Sequence, residues 1–112
     1  MRILHVIATL DAASGGPAKA CVEMAGAVAS LGHQVDIFTT DWRSSPSAGQ
    51  AFGYPYTAGV LRSFNCDFPS VWKPSRDMAR ALLSDAGNYD LLHVHSLYLF
   101  HDLMAPLAAR RA

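Results

Sequence analysis

The first forty residues constrain this chain more than any other stretch. An apolar, β-branched run from Ile3 to Thr9 leads through Leu10–Ser14 into Gly15-Gly16-Pro17, and an amphipathic segment follows at once. Strand chemistry, a glycine bend and a helix start come in that order. Glycines let backbone N–H groups approach a ligand closely, proline suits a first helical turn, and a helix N-terminus attracts negative charge. The bend therefore points to an anion, most naturally a phosphate. Ala18, Cys21, Val22, Ala25, Val28 and Ala29 recur at helical spacing, and Gly32 after Leu31 marks a stop. Gln34 to Thr40 then reads as a second strand from its β-branched and aromatic residues. Strand, helix and strand in this order predict a right-handed crossover between parallel strands.

Downstream, Asp41 to Ala58 is broken by Ser44, Ser45, Pro46, Ser47, Gly49, Gly53 and Pro55, and reads as a long surface loop. Trp42, Phe52, Tyr54, Tyr56, Phe64, Phe68 and Trp72 gather in and around it. They suit either a substrate wall or anchors pinning the loop to the sheet, and anchoring is the commoner use of such side chains. Gly59 to Asn65 predicts a short third strand. Pro74-Ser75 opens a helix that turns Met78, Ala81 and Leu82 inward and ends near Gly87. Tyr89 to Ser96 is the fourth strand and its exit, and residues from about Tyr98 to Ala112 look helical. The expected fold is α/β, a doubly wound parallel sheet of about four strands, with strand four beside strand one and its crossover on the opposite face. The pattern stops within a helix at Arg110-Arg111-Ala112, as expected of a single domain over residues 1–112 that is the truncated front part of a longer protein.

Composition narrows the partners. Nine Lys+Arg balance nine Asp+Glu, so no basic field favours nucleic acid. No apolar run reaches the roughly 18–20 residues of a membrane span. Arg2 and the residues after it imitate a short signal peptide, but His5 interrupts the apolar core and Asp11 cuts it short. Cys21 and Cys66 form no C-x-x-C pair, and Cys21 lies on the apolar side of the first helix, which reads as a buried thiol in a reducing compartment. Arg76 and Arg80 share one side of the second helix, with Asp77 between them, and read as a solvated face rather than a lipid site.

In a doubly wound sheet, ligands collect at the carboxyl ends of strands where the strand order reverses. The Gly15-Gly16 bend leaves strand one there, and His95-Ser96 leaves strand four. His93 and His95, two apart on a strand, share one face. His95 at the strand's end is the candidate for touching ligand, whereas His93 suits a hydrogen-bonded core role. H-x-H is also metal-ligand spacing, which His101 and Asp102 would complete, although His101 on a helix would point away. Neither the dinucleotide pattern G-x-G-x-x-G nor G-x-x-x-x-G-K-[ST] fits, because Pro17, Ala20 and Cys21 occupy required positions.

Four segments together carry a resemblance: Met1-Arg2-Ile3-Leu4-His5-Val6, Gly15-Gly16-Pro17, Ala27 to Val35, and Tyr89 to Ser96. In sequence and spacing they resemble the N-terminal domain of family-4 glycosyltransferases, retaining enzymes of the GT-B architecture. The resemblance implies a Rossmann-like domain, the acceptor-side and incomplete N-terminal half of that architecture, with the C-terminal donor-binding domain absent. It implies transfer of a sugar from a nucleotide-sugar donor to an acceptor hydroxyl with retention, without metal or other cofactor. Gly15 and Gly16 inherit contact with the donor diphosphate, and His95 lies against the transferred sugar as the catalytic residue.

Family members also use a spaced pair of glutamates in the second domain, and Glu23 is the only glutamate here. The chain alone is therefore expected to be inactive. A cytoplasmic setting, with peripheral contact at the inner membrane face in the full-length protein, accompanies the resemblance. The second reading is a non-catalytic Rossmann-like or flavodoxin-like module that binds a phosphate ligand. A metal-dependent hydrolase is the third.

Overall fold

Unbroken burial from Ile3 to Ile7 along the first strand decides the layers. β1 (Arg2–Thr9) buries Leu4 and Val6 as well as Ile3 and Ile7. Since successive side chains point to opposite faces, the sheet is covered on both sides. The computed structural model describes residues 1–9, 16–40, 56–64, 75–95, 106 and 108–110. Its four strands are β1, β2 (Gln34–Thr40), β3 (Leu61–Phe64) and β4 (Leu91–Val94), in the order β3-β2-β1-β4 and parallel throughout. The reversal of strand order falls between β1 and β4, as the sequence predicts.

One helix covers each face. α1 (Gly16–Ser30) packs Ala18, Cys21 and Ala25 on Ile3, Ile7, Val35 and Ile37. Its last turn closes when Leu31 N–H donates to the Val28 carbonyl and Gly32 N–H to that of Ala29. Gly32 takes φ 97°, the left-handed conformation that glycine adopts without a Cβ clash. On the opposite face α2 (Arg76–Asp85) packs Met78, Ala81 and Leu82 on Leu4, Val6, Phe38 and Phe64. Ser75 caps it, its Oγ accepting from Met78 N–H at 3.1 Å. A 3₁₀ turn (Ala86–Asn88) leads towards β4. Residues 106 and 108–110 are helical, and Ala108 is buried in the α2-side core.

β3 is shorter than the predicted Gly59–Asn65, and the crossing at Gly59 accounts for its late start. A Cβ on Gly59 would lie 2.0 Å from the Val35 carbonyl oxygen, and the next N–H, of Val60, donates to Asp36 Oδ1 at 3.0 Å. The chain therefore passes over β2 at Gly59, and Val60 spends its donor on a side chain, before the ladder begins. Two of the aromatic residues around the preceding loop are anchors: Tyr56 is buried and donates its hydroxyl to the Val35 carbonyl, and Phe64 packs edge-on to Phe38. Trp42, Phe52, Tyr54, Phe68 and Trp72 lie outside the described residues, as does Cys66. Among the described residues, no helix is long and apolar enough to cross a membrane.

Candidate functional site

The β1–β4 ladder brings three histidines together. Its register sets Ile3 opposite Leu91, Leu4 opposite Leu92, His5 opposite His93 and Val6 opposite Val94. The ladder continues past β4, where His95 N–H donates to the Val6 carbonyl at 2.9 Å. His5 shares the α1-side face with Ile3 and Ile7, and His93 and His95 lie on that same face. The rings of His93 and His95 stack with centres 4.4 Å apart and planes 3° from parallel, so the shared face predicted for them is present.

The sequence reading missed His5. It is buried, 1% exposed, whereas His93 and His95 are half-buried. His5 Nδ1 lies 2.7 Å from His95 Nε2, and its ring centre is 4.7 Å from that of His93. The available signal was a titratable residue inside an apolar strand, read beside the expectation that strand four pairs with strand one. His93, expected as a hydrogen-bonded core histidine, stacks on both His5 and His95.

Two ring nitrogens at this distance need one donor and one acceptor, so a single proton lies between them. If both rings were fully protonated, two N–H groups would face each other. Burial, followed by the charges of His95 and His93, pushes the His5 imidazole down to about 4. His5 is therefore neutral at pH 7, and the pair presents one exchangeable proton close to the sheet's carboxyl edge.

The same three side chains offer ligand atoms that lie within 4.8 Å of one another. A shared ion needs their lone pairs to converge on one point. The near-parallel planes of His93 and His95 direct theirs along separate planes. Two nitrogens bound to one tetrahedral ion would also stand about 3.3 Å apart, given metal–nitrogen bonds of about 2.0–2.1 Å. The His5–His95 separation of 2.7 Å is that of a proton bridge. His101 and Asp102, which the sequence offered as further ligands, lie outside the described residues.

Gly16 opens α1, which follows β1, and His95 follows β4. With β1 and β4 parallel and adjacent, both positions lie at the carboxyl edge of the sheet. Gly15 and Ser96 lie outside the described residues. Thr39, near the carboxyl end of β2, has a buried Oγ1 with no partner among the described residues. Burial pushes the Cys21 thiol up to about 12, so it is a packing group and not a nucleophile. Arg80 pairs with Asp77 at 3.5 Å on an exposed helix face, as the solvated reading of that face expects. A cavity of about 340 Å³ lies at the other end of β4, beside Tyr89, Asp90 and Leu91, and is separate from the histidines.

Comparison with known proteins adds one finding to this geometry. The family model described as Glycosyltransferase Family 4 matches residues 14–112, a span that holds Gly15, Gly16, His93 and His95 but not β1. Neither the curated proteins nor the solved structures give a match.

Proposed function

The chain belongs to glycosyltransferase family 4, and from that premise we propose that it forms the acceptor-side half of a cleft in which a sugar passes from a nucleotide donor to an acceptor hydroxyl with retention. The observation that carries this reading is the common edge of the sheet shared by the α1 N-terminus at Gly16 and by His95. One is a cluster of backbone donors, the other an oriented imidazole.

Breaking the bond between the anomeric carbon and the diphosphate leaves the bonding pair on a phosphate oxygen and positive charge on the sugar. N–H groups of Gly15, Gly16 and the first turn of α1 stabilise the leaving phosphate, because a helix N-terminus favours negative charge. In a retaining transfer the acceptor attacks from the face that the phosphate leaves. The departing phosphate oxygen then takes the acceptor proton, and His95 orients the sugar without acting as a base. A second domain holds the nucleotide and supplies the carboxylates that Glu23 alone cannot. The cytoplasm is the compartment that suits this reading.

His95→Ala in the intact enzyme tests it. Losing one oriented contact to the sugar lowers kcat by about tenfold or more, while nucleotide affinity changes by less than about twofold. An unchanged kcat removes His95 from the site. The 112-residue chain alone is expected to turn over no nucleotide sugar, and measurable transfer by it would refute the shared-cleft reading.

A further inference from the structure

We propose that His5 is a positioning residue for His95, holding Nε2 of that ring through its own Nδ1, so that His95 meets a bound sugar with its plane fixed and one nitrogen already committed. The proposal rests on the transferase reading above. It adds to that reading a residue that touches neither donor nor acceptor.

The alignment of the pair is the first support. The ring centres are 5.0 Å apart and the bonded nitrogens 2.7 Å apart. The difference is about two imidazole radii, so the bond runs along the line between the ring centres, the direction in which a ring N–H and a ring lone pair point. The 25° angle between the planes preserves that alignment.

Rigidity is the second. His5 stands inside β1 with its Cα in register with His93, and the His95 main chain is tied to β1 through the Val6 carbonyl. Both members of the pair therefore hang from one ladder, and neither can shift without opening it. His93 stacks on His95 from one side, which restricts rotation of the His95 ring out of the bonding plane. A buried group that fixes the ring nitrogen of a working histidine also fixes which nitrogen the histidine offers to its ligand.

Nitrogen-15 spectroscopy of the imidazoles in the 112-residue chain reads the bond directly, and two substitutions separate its parts. His5→Phe keeps a ring and removes its nitrogens, whereas His5→Asn restores an amide group close to the position of Nδ1. In the unsubstituted chain we expect His95 to hold one tautomer in about tenfold excess, with a coupling across the His5–His95 bond. His5→Phe should mix the tautomers and abolish the coupling, and His5→Asn should keep the bias. In the intact enzyme, His5→Phe should lower kcat about tenfold with the donor KM within about twofold, and His5→Asn should recover most of the loss.

Mixed tautomers of His95 in the unsubstituted chain would overturn the proposal, even if His5→Phe failed to fold. So would a kcat for His5→Phe equal to that of the unsubstituted enzyme, and both results leave the transferase reading standing. Stoichiometric uptake of Zn²⁺ that His5→Phe abolishes would also overturn it, because an ion would then occupy the proton's place. Absence of sugar transfer by the unsubstituted enzyme would overturn the transferase reading and the positioning role with it. The nitrogen spectra tell that failure apart from the others.

Discussion

Acidification should weaken this fold through His5. Unfolded, its imidazole takes up a proton near 6.5; folded, it does so near 4, because burial and the adjacent histidines oppose the charge. Between those values the unfolded chain binds more protons than the folded one, so stability falls as pH falls. The contribution is intact above pH 6.5, drains away as pH drops towards 4, and levels off below that. At about 1.4 kcal/mol per pH unit, the gap amounts to about 3 kcal/mol. A domain of this size is stabilised by roughly 5–15 kcal/mol in total, so the loss is large enough to measure. Urea unfolding followed by circular dichroism between pH 8 and pH 4 gives the curve for the unsubstituted chain and for His5→Leu. The other ionisable groups are common to both chains, so the difference between the curves isolates the His5–His95 pair. The unsubstituted chain should lose about 3 kcal/mol more than His5→Leu across that range. Parallel curves would refute the claim that His5 is held neutral by the fold.

Two further predictions concern the scaffold. Gly59→Ala and Gly26→Ala should change stability in opposite directions in urea melts: a Cβ on Gly59 meets the Val35 carbonyl at 2.0 Å, while one on Gly26 meets nothing within 4 Å. The first should cost about 1–3 kcal/mol through forced backbone movement, and the second should gain about 0.5–1 kcal/mol from reduced backbone freedom in the unfolded chain. Tyr89→Phe removes the hydroxyl that donates to Asp36 Oδ2 at 2.7 Å, leaving that buried carboxylate its bond from Val60 N–H. The expected cost is about 1–3 kcal/mol at pH 7. A melt identical to that of the unsubstituted chain would mean that water replaces the hydroxyl.

Where local chemistry and tertiary position agree, the elements were legible in the sequence. Gln34–Thr40 is bounded as expected because a glycine stop precedes it and both of its faces are buried. α2 begins as expected because Ser75 offers a cap and Met78, Ala81 and Leu82 follow at helical spacing. The order of the strands followed from topology, since a chain that has built β1 to β3 in one direction must return to the centre to bury β4. The start of β3 was not legible. It depends on how closely Gly59 crosses the Val35 carbonyl, a tertiary distance with no local signature. Arg62 is comparable: its guanidinium pairs with Asp85 at 2.9 Å and lies over the rings of Phe38 and Phe64, which no spacing along the chain announces.

The site divides along the same line. The common edge of Gly16 and His95 was legible because each stands at the end of an element, and element ends at a reversal of strand order share an edge by topology alone. His5 was missed because its contact with His95 depends on register. Moving β4 by one residue against β1 would turn His93 and His95 to the α2 side and leave His5 facing apolar neighbours without a partner. The apolar alternation of β1 and β4 prevents that slip, since Leu92 and Val94 pack beside Leu4 and Val6 in the α2-side core. The hydrophobic pattern on one face of the sheet therefore fixes the histidine pairing on the other. Substitutions at Leu92 or Val94 that preserve volume should leave the His5–His95 bond intact, whereas a charged residue at either position, which favours the slipped register, should break it without touching a histidine.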